Sequence, residues 1–213
     1  MELTKYTHAC VRLDDGDRSL VIDPGVFSEL DAALDGVGAV LITHEHADHI
    51  HADRISQALT ADPRLRVYAP LAVVESLDEF GDQVVAVDPG QTFDAAGFNV
   101  QTFGGQHAVI HPAIPVIANI GFLVEESVYH PGDSFSVPSE PVQTLLLPTH
   151  APWNKVEEVI DFAIAVRAPQ TFQIHDSLIT DIAANMIEGH VARLSAPFGV
   201  SFRHLAACES VTV

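Results

Sequence analysis

Short apolar runs separated by turn-forming residues dominate the first two thirds of the chain. Ser19-Leu20-Val21-Ile22, closed by Asp23-Pro24-Gly25, and Ala39-Val40-Leu41-Ile42 read as strands. Upstream, Glu2 to Val11 alternates loosely, and Asp14-Asp15-Gly16-Asp17 has the composition of a hairpin turn. Leu65 to Tyr68, Val84 to Val87, Phe98 to Phe103, Val116 to Val124 and Ser127 to His130 are further predicted strands, broken by Asp88-Pro89-Gly90 and Gly104-Gly105. Helical spacing appears from about Asp48 to Leu59, through Ile50, Ile55 and Leu59, and again over Leu71 to Leu77.

From Thr144 the pattern alternates strand and helix. Leu145-Leu146-Leu147 is a buried strand, and Asn154 with Glu157 three residues on predicts a capped helix start. Val156, Val159, Ile160, Ala163 and Ile164 then form one apolar stripe. Thr171 to Ile174, a helix near Ile179 to Leu194, and a strand over Val200 to Leu205 complete the reading. Strands in the middle with helices toward both ends predict two facing sheets with helices outside, an α/β or α+β arrangement. No low-complexity tract divides the 213 residues, so residues 1–213 are expected to form a single domain.

Composition narrows the function. The net charge is −19, with only ten Lys and Arg, scattered apart from Arg64 and Arg66. Binding to nucleic acid or to an anionic membrane surface needs clustered cations, so neither partner is expected. The first residues carry no basic-then-apolar leader, and no apolar run approaches the ~20 residues of a membrane span. A cytoplasmic protein is therefore expected, and its two cysteines, Cys10 and Cys208, should be free thiols on buried strands.

Chemistry concentrates in Thr43-His44-Glu45-His46-Ala47-Asp48-His49-Ile50. His44 and His46, two apart at a strand end, point to one face. Asp48 and His49, read as the start of the following helix, would come from a second direction. Imidazole nitrogen with carboxylate oxygen favours borderline divalent cations such as Zn, Mn or Fe, and two adjacent ions fit this density of ligands better than one. The plainer reading is a histidine-rich surface turn; the buried strand feeding directly into the cluster argues against it.

This segment resembles the H-x-H-x-D-H signature of the metallo-β-lactamase superfamily, and the family's other motifs follow its order along nearly the whole chain. Asp23 looks like its buried orienting carboxylate. His107, after Gly104-Gly105-Gln106, looks like its third motif. Asp133, in Tyr129-His130-Pro131-Gly132-Asp133-Ser134, resembles the fourth, and His175, in Phe172-Gln173-Ile174-His175-Asp176, the fifth.

The resemblance implies a four-layer αβ/βα sandwich with the site at one edge of the sheets. It implies that His44, His46 and His107 hold one ion, that Asp48, His49 and His175 hold another, and that Asp133 bridges them. Two ions ~4 Å apart share a hydroxide nucleophile and polarise the scissile group, and Asp48 would orient that nucleophile and pass a proton to the leaving group. His8, where relatives often carry a Gly-His pair, is open between a donor beside the site and a core histidine. His130 is read as packing under Asp133. His111 and His150 are read as possible liners of the mouth, and His51, His190 and His204 as structural or exposed. Trp153 is read as packing before pocket wall.

Departures from the pattern exclude several branches. The β-lactamases proper usually carry Cys or Ser where Asp133 stands. Nucleases with a cap domain insert over a hundred residues between the fourth and fifth motifs, whereas Asp133 and His175 are 42 positions apart. Glyoxalase-II-like thioesterases add a helical C-terminal domain, but 38 residues follow His175. Flavodiiron proteins replace the second histidine, here His46, with glutamate. What remains resembles the compact branch around ascorbate-6-phosphate lactonase. The expected function is metal-dependent hydrolysis of an ester, lactone or phosphodiester in a small-molecule substrate, with two divalent ions, zinc before manganese or iron. The alternatives are an iron-dependent oxidoreductase acting on oxygen or a persulfide, and a non-catalytic metal-binding protein. Substrate identity and homo-oligomerisation are left open by the sequence.

Overall fold

The computed structural model describes residues 1–213 as two seven-stranded mixed sheets facing each other, with helices on both outer surfaces. The first sheet holds β1 (Glu2–Lys5), β2 (Val11–Asp15), β3 (Arg18–Ile22), β4 (Ala39–Leu41), β5 (Arg66–Ala69) and β6 (Val84–Ala86) side by side, and the last strand, β14 (Glu209–Thr212), joins it beside β1. The second holds β7 (Thr92–Ala95), β8 (Phe98–Gly104), β9 (Ile120–Val124), β10 (Val128–His130), β11 (Thr144–Pro148), β12 (Gln170–Ile174) and β13 (Ser201–Arg203) in that order. Helices α1 (Leu30–Ala33), α2 (Ala52–Ala61) and α3 (Leu71–Ser76) belong to the first half, and α4 (Val156–Val166) and α5 (Asp181–Ser195) to the second.

The period of two along each strand sorts side chains into layers. Leu20, Ile22 and Leu41 point into the central core with Phe98, Val100, Phe122, Leu146 and Ile174 from the other sheet. Their neighbours Val21 and Val40 face outward onto Ile55 and Leu59 of α2 and Val73 of α3. Leu145 and Leu147 likewise meet Val159 and Phe162 of α4 and Ile187 and Val191 of α5. Strands apolar on both faces, as the sequence shows, are what such a four-layer stack demands. No helix is long and apolar enough to cross a membrane.

Several expectations need correction. The helix after the histidine segment starts at Ala52; Asp48 and His49 lie in the turn before it, where His49 N donates to His46 O (2.9 Å). The predicted strand from Val116 begins only at Ile120, and residues 108–118 form an irregular loop. The capped helix start falls one residue later than expected: Lys155 is the N-cap, and its backbone N–H donates to Glu158 (2.9 Å). Asn154 instead uses its side chain to accept from Ala151 N (3.2 Å). Both cysteines are free, but only Cys10 is buried; Cys208 is exposed at a turn where the backbone is left-handed.

Topology explains why the motifs converge. β3 and β4 run parallel, and so do β10, β11 and β12; β8 shares the direction of β10 because each is antiparallel to β9. Asp23, the His44 segment, His107, Asp133 and His175 all follow the carboxyl ends of these strands. Ile120 N donates to Thr43 O (2.9 Å), tying the two halves together at that edge.

Candidate metal centre

Two groups of ligand-type side chains form at this edge, each with its donor atoms within 4.8 Å of one another: His44, His46, His107 and Asp133 in one, His8, Asp48, His49 and His175 in the other. All but the partly exposed His46 and Asp48 are buried. Asp133 lies between the groups, with Oδ2 3.2 Å from both His107 Nε2 and His175 Nε2 and Oδ1 3.1 Å from His49 Nε2. The structure thus brings together every residue that the motifs single out, His8 and Asp23 included.

The imidazoles are held by their outer nitrogens. Asp23, fully buried, accepts from Thr43 N (2.8 Å), Thr43 Oγ1 (2.7 Å) and His49 Nδ1 (2.6 Å). Thr43 Oγ1 in turn accepts from His44 Nδ1 (2.9 Å), so one carboxylate fixes the tautomers of two histidines. His107 Nδ1 donates to Ala108 O and His175 Nδ1 to His150 O, both at 2.6 Å. The Nε2 atoms are thereby turned toward the centre. His46 presents Nδ1, 3.1 Å from His44 Nε2.

The backbone supports this orientation. His8, Asp23 and His175 hold left-handed conformations (φ 69°, 51° and 60°), which turn each side chain out of the path a strand would give it. Such conformations persist only where the surroundings over-determine them. Gly25 lies so close to the Asp48 carbonyl that a Cβ there would sit 1.8 Å from its oxygen. Gly132 (φ 63°) also packs closely, a Cβ there lying 2.3 Å from Asn119 Oδ1 and 2.7 Å from Thr43 Cβ, while Asn119 accepts from Asp133 N (2.9 Å) and donates to Pro131 O (2.9 Å).

Charge is unevenly distributed over the clusters. Burial opposes ionisation of His44, His46 and His8 and lowers their pKa values. Burial also works against the His175 imidazolium, but Asp133 and Asp48 outweigh it and push the group up to about 9. For His49, Asp133 and Asp23 overcome burial in the same way and raise it. Asp133 and Asp48 are held below the usual carboxylate range although burial raises them, because the surrounding histidines prevail. Protons are therefore retained on the histidines nearest the carboxylates.

Whether cations fit can be judged from the atoms without partners. His49 Nε2, His107 Nε2, His175 Nε2 and Asp133 Oδ1 are buried and make no hydrogen bond, since their mutual approaches are close in distance but wrong in angle. Buried polar atoms in folded proteins are nearly always satisfied. Four orphans converging on one place match the nitrogen and oxygen donor set of borderline divalent metals. Neither cysteine belongs to the clusters.

Of the outer ring of supports, the sequence points to His8 as a candidate donor and to Trp153 as packing before pocket wall; Ser177, Glu29 with Thr7, and Lys5 with Asp176 escape it. Trp153 donates from Nε1 to Asp133 Oδ2 (2.8 Å), and its ring lies 6.1 Å from that of His107 and 6.4 Å from that of His175. His8 donates to Asp48 Oδ2 (3.1 Å) and accepts from Ser177 Oγ (2.7 Å). Glu29 grips Thr7 through backbone and hydroxyl, and buried Lys5 pairs with Asp176 (3.0 Å) behind His175. No periodicity marks these residues. The other histidines stand apart: His130 is buried and spends both nitrogens on Ala9 O and Gly132 N. His111 is exposed in its loop, accepting from Ala113 N, and His150 contributes its carbonyl.

Comparisons with known proteins place the chain in a family. The family model described as beta-lactamase superfamily domain matches residues 2–175. Protein Rv0786c of Mycobacterium tuberculosis is 36% identical over 200 residues, covering 92% of this chain and 93% of its own. The UPF0173 metal-dependent hydrolase MJ1163 of Methanocaldococcus jannaschii is 28% identical over 62% of this chain and 60% of its own. In three dimensions the chain is similar to Igni18, a metallo hydrolase from Ignicoccus hospitalis, with a TM-score of 0.76, 20% identity, and coverage of 99% of this chain and 97% of that one. By the extent of the family match and the fold it shares, this chain belongs to the beta-lactamase superfamily.

Proposed function

We propose that the protein is a hydrolase that uses two divalent metal ions, zinc before manganese or iron, to cleave an ester, lactone or phosphodiester bond in a small molecule. The observation that carries this reading is the set of four buried ligand atoms with no protein partner. His44, His46 and His107 would hold one ion, Asp48, His49 and His175 the other, with Asp133 between them. Bound there, the pair would supply Lewis acidity and a nucleophile available at neutral pH.

The chain's own residues do the rest. Asp23 and Thr43 hold the outer nitrogens of His49 and His44, so that their Nε2 atoms face the site, where a metal would displace the proton that Asp133 and Asp23 favour on His49. Asp48, whose side chain is 23% exposed, is the carboxylate that faces solvent, and His8 holds it by Oδ2. It is placed to orient an attacking water and to carry a proton toward a leaving oxygen. Trp153 fixes Asp133 and shields it from water.

The test is metal analysis followed by ester, lactone and phosphodiester assays on loaded protein. Asp48→Asn, which weakens one ligand of the second ion and removes the solvent-facing carboxylate, should lower metal content at that position and lose at least about 100-fold in kcat/KM. Unchanged turnover in this variant would overturn the role. Tightly held iron with substrate-dependent oxygen uptake would replace hydrolysis by redox chemistry.

A further inference from the structure

Most large apolar side chains are buried, so those left exposed are informative where they gather. Phe27, Val109, Ile114, Val116, Val137 and Leu178 are all exposed. Each lies on a loop that also carries a candidate ligand or its orienting carboxylate: Phe27 after Asp23, the next three after His107, Val137 after Asp133, and Leu178 after His175. These loops are tied directly to the clusters. Phe27 meets the His8 ring edge-on at 5.3 Å, Ile117 O accepts from His107 N (3.0 Å), and Ser177 bonds His8. Pro112 and Pro115 stiffen the 108–118 loop, so its apolar side chains are held out without a strand or helix to support them.

Charge at this mouth runs the other way from what a phosphorylated or acidic substrate needs. Of the ten basic residues, Lys5 is buried against Asp176, and Arg12, Arg18, Arg54, Arg64 and Arg203 are paired with carboxylates elsewhere. Of the rest, Arg66 begins β5, Arg167 follows α4 and Arg193 lies in the last turn of α5, while Lys155, two residues beyond Trp153, is exposed at the start of α4. Phosphate recognition relies on bidentate or clustered cations, which are absent here. The Trp153 ring, anchored to Asp133 and beside both His107 and His175, adds a flat wall shared by the two clusters.

We infer that the substrate is an uncharged small molecule whose apolar arm, an acyl or alkyl chain next to the cleaved bond, lies against a rim of Phe27, Val109, Val116 and Leu178, exposed apolar side chains of the loops that carry the ligands and Asp23. This deepens the hydrolase reading and rests on its metal site. The rim selects by burying methylenes and disfavours charged arms, which would lose water there without gaining a partner.

Straight-chain hydroxamates of two to eight carbons, which anchor on a metal by their head group, probe the rim without requiring turnover. Titrated calorimetrically into metal-loaded protein, they should gain about two- to fourfold in affinity per added methylene, the range between half and full burial of a CH2. Chains of equal length ending in carboxylate or phosphate should bind more weakly. Val109→Asp and Leu178→Asp, at positions 58% and 52% exposed, should fold normally. They should flatten the length dependence and leave the two-carbon compound unchanged.

Absent hydroxamate binding, equal affinity along the series, tighter binding of the charged chains, or unaltered slopes in both variants would overturn the proposal. So would a rim whose variants change vesicle pelleting or self-association in place of the slope. A length-dependent series without hydrolysis of any ester, lactone or phosphodiester would leave the rim standing and remove the hydrolase reading; turnover with a flat series would do the reverse.

Discussion

The segment carrying His44 to His49 and the loop that follows His107 supply neighbouring groups to the same site by opposite means. The first is packed from all sides: Asp23 binds three of its donors or their carrier, Gly25 abuts the Asp48 backbone, and His44 and His49 are fully buried. The second is anchored near its root, where His107 and Ala108 bond Ile117 and Asp133, and beyond that it projects apolar side chains into solvent. One loop is built for fixed geometry. The other has the exposure that the proposed substrate rim requires. On the proposed reading, position and selection fall to different strand ends.

The strongest way to break this division is Asp23→Ala. It strands buried Thr43 N and His49 Nδ1, and removing one partner of a buried charged network costs about 3–5 kcal/mol. For a chain of this size that lowers Tm by roughly 10 °C. Metal affinity should fall by about 10- to 100-fold. Thermal unfolding and metal titration of the same variant check both, and a wild-type Tm would show that the segment is not braced by this carboxylate.

Acidity acts next. His175 in the metal-free protein titrates near 9, above its unfolded value near 6.5, and His49 is also raised. That excess stabilises the metal-free fold fully below about pH 6.5 and is lost as pH rises through about 9. Metal uptake must displace those protons, so affinity should climb by about tenfold per pH unit for each proton released. Calorimetry in buffers of differing ionisation enthalpy counts them; zero release would contradict the raised values.

Smaller effects sharpen the contrast. Trp153→Phe keeps an aromatic wall but removes the hydrogen bond to Asp133, which should cost about 1.5–3 kcal/mol of support to a charged acceptor, read as roughly 10-fold or greater weakening of metal binding. Pro112→Ala, in the exposed loop, should cost at most about 1 kcal/mol and shift Tm by a few degrees, since it chiefly frees the unfolded chain. A loss as large as that of Asp23→Ala would mean that the loop is structural after all.

Much of this was legible beforehand because strands apolar on both faces and a dense run of ligands are local signals. The ends of β3 and β4 lie within a residue of the predicted ones, the strand feeding the His44 segment is where the sequence has it although the helix after it starts at Ala52 and not at Asp48, and the family motifs locate His107, Asp133 and His175. What escaped depends on partners. β14, Glu-Ser-Val-Thr, is polar and alternately exposed, and becomes a strand through its pairing with β1. β7 and the single-turn α1 are too short to show a period. Val116 was read as strand because it is apolar and runs into Ile120, yet apolar composition at a mouth serves exposure. Trp153 and Ser177 act across 20 and 169 positions of chain, distances that no spacing rule spans.

Each cluster draws side chains from both halves of the sandwich: His44 and His46 meet His107 and Asp133, while His8, Asp48 and His49 meet His175. Any ion seated in either group would therefore cross-link the two sheets at their open edge, as a clasp closes a folded sheet of card. Chelation should then loosen that edge, with amides around Thr43 and Ile120 exchanging hydrogen faster while the strands on the far side keep their protection.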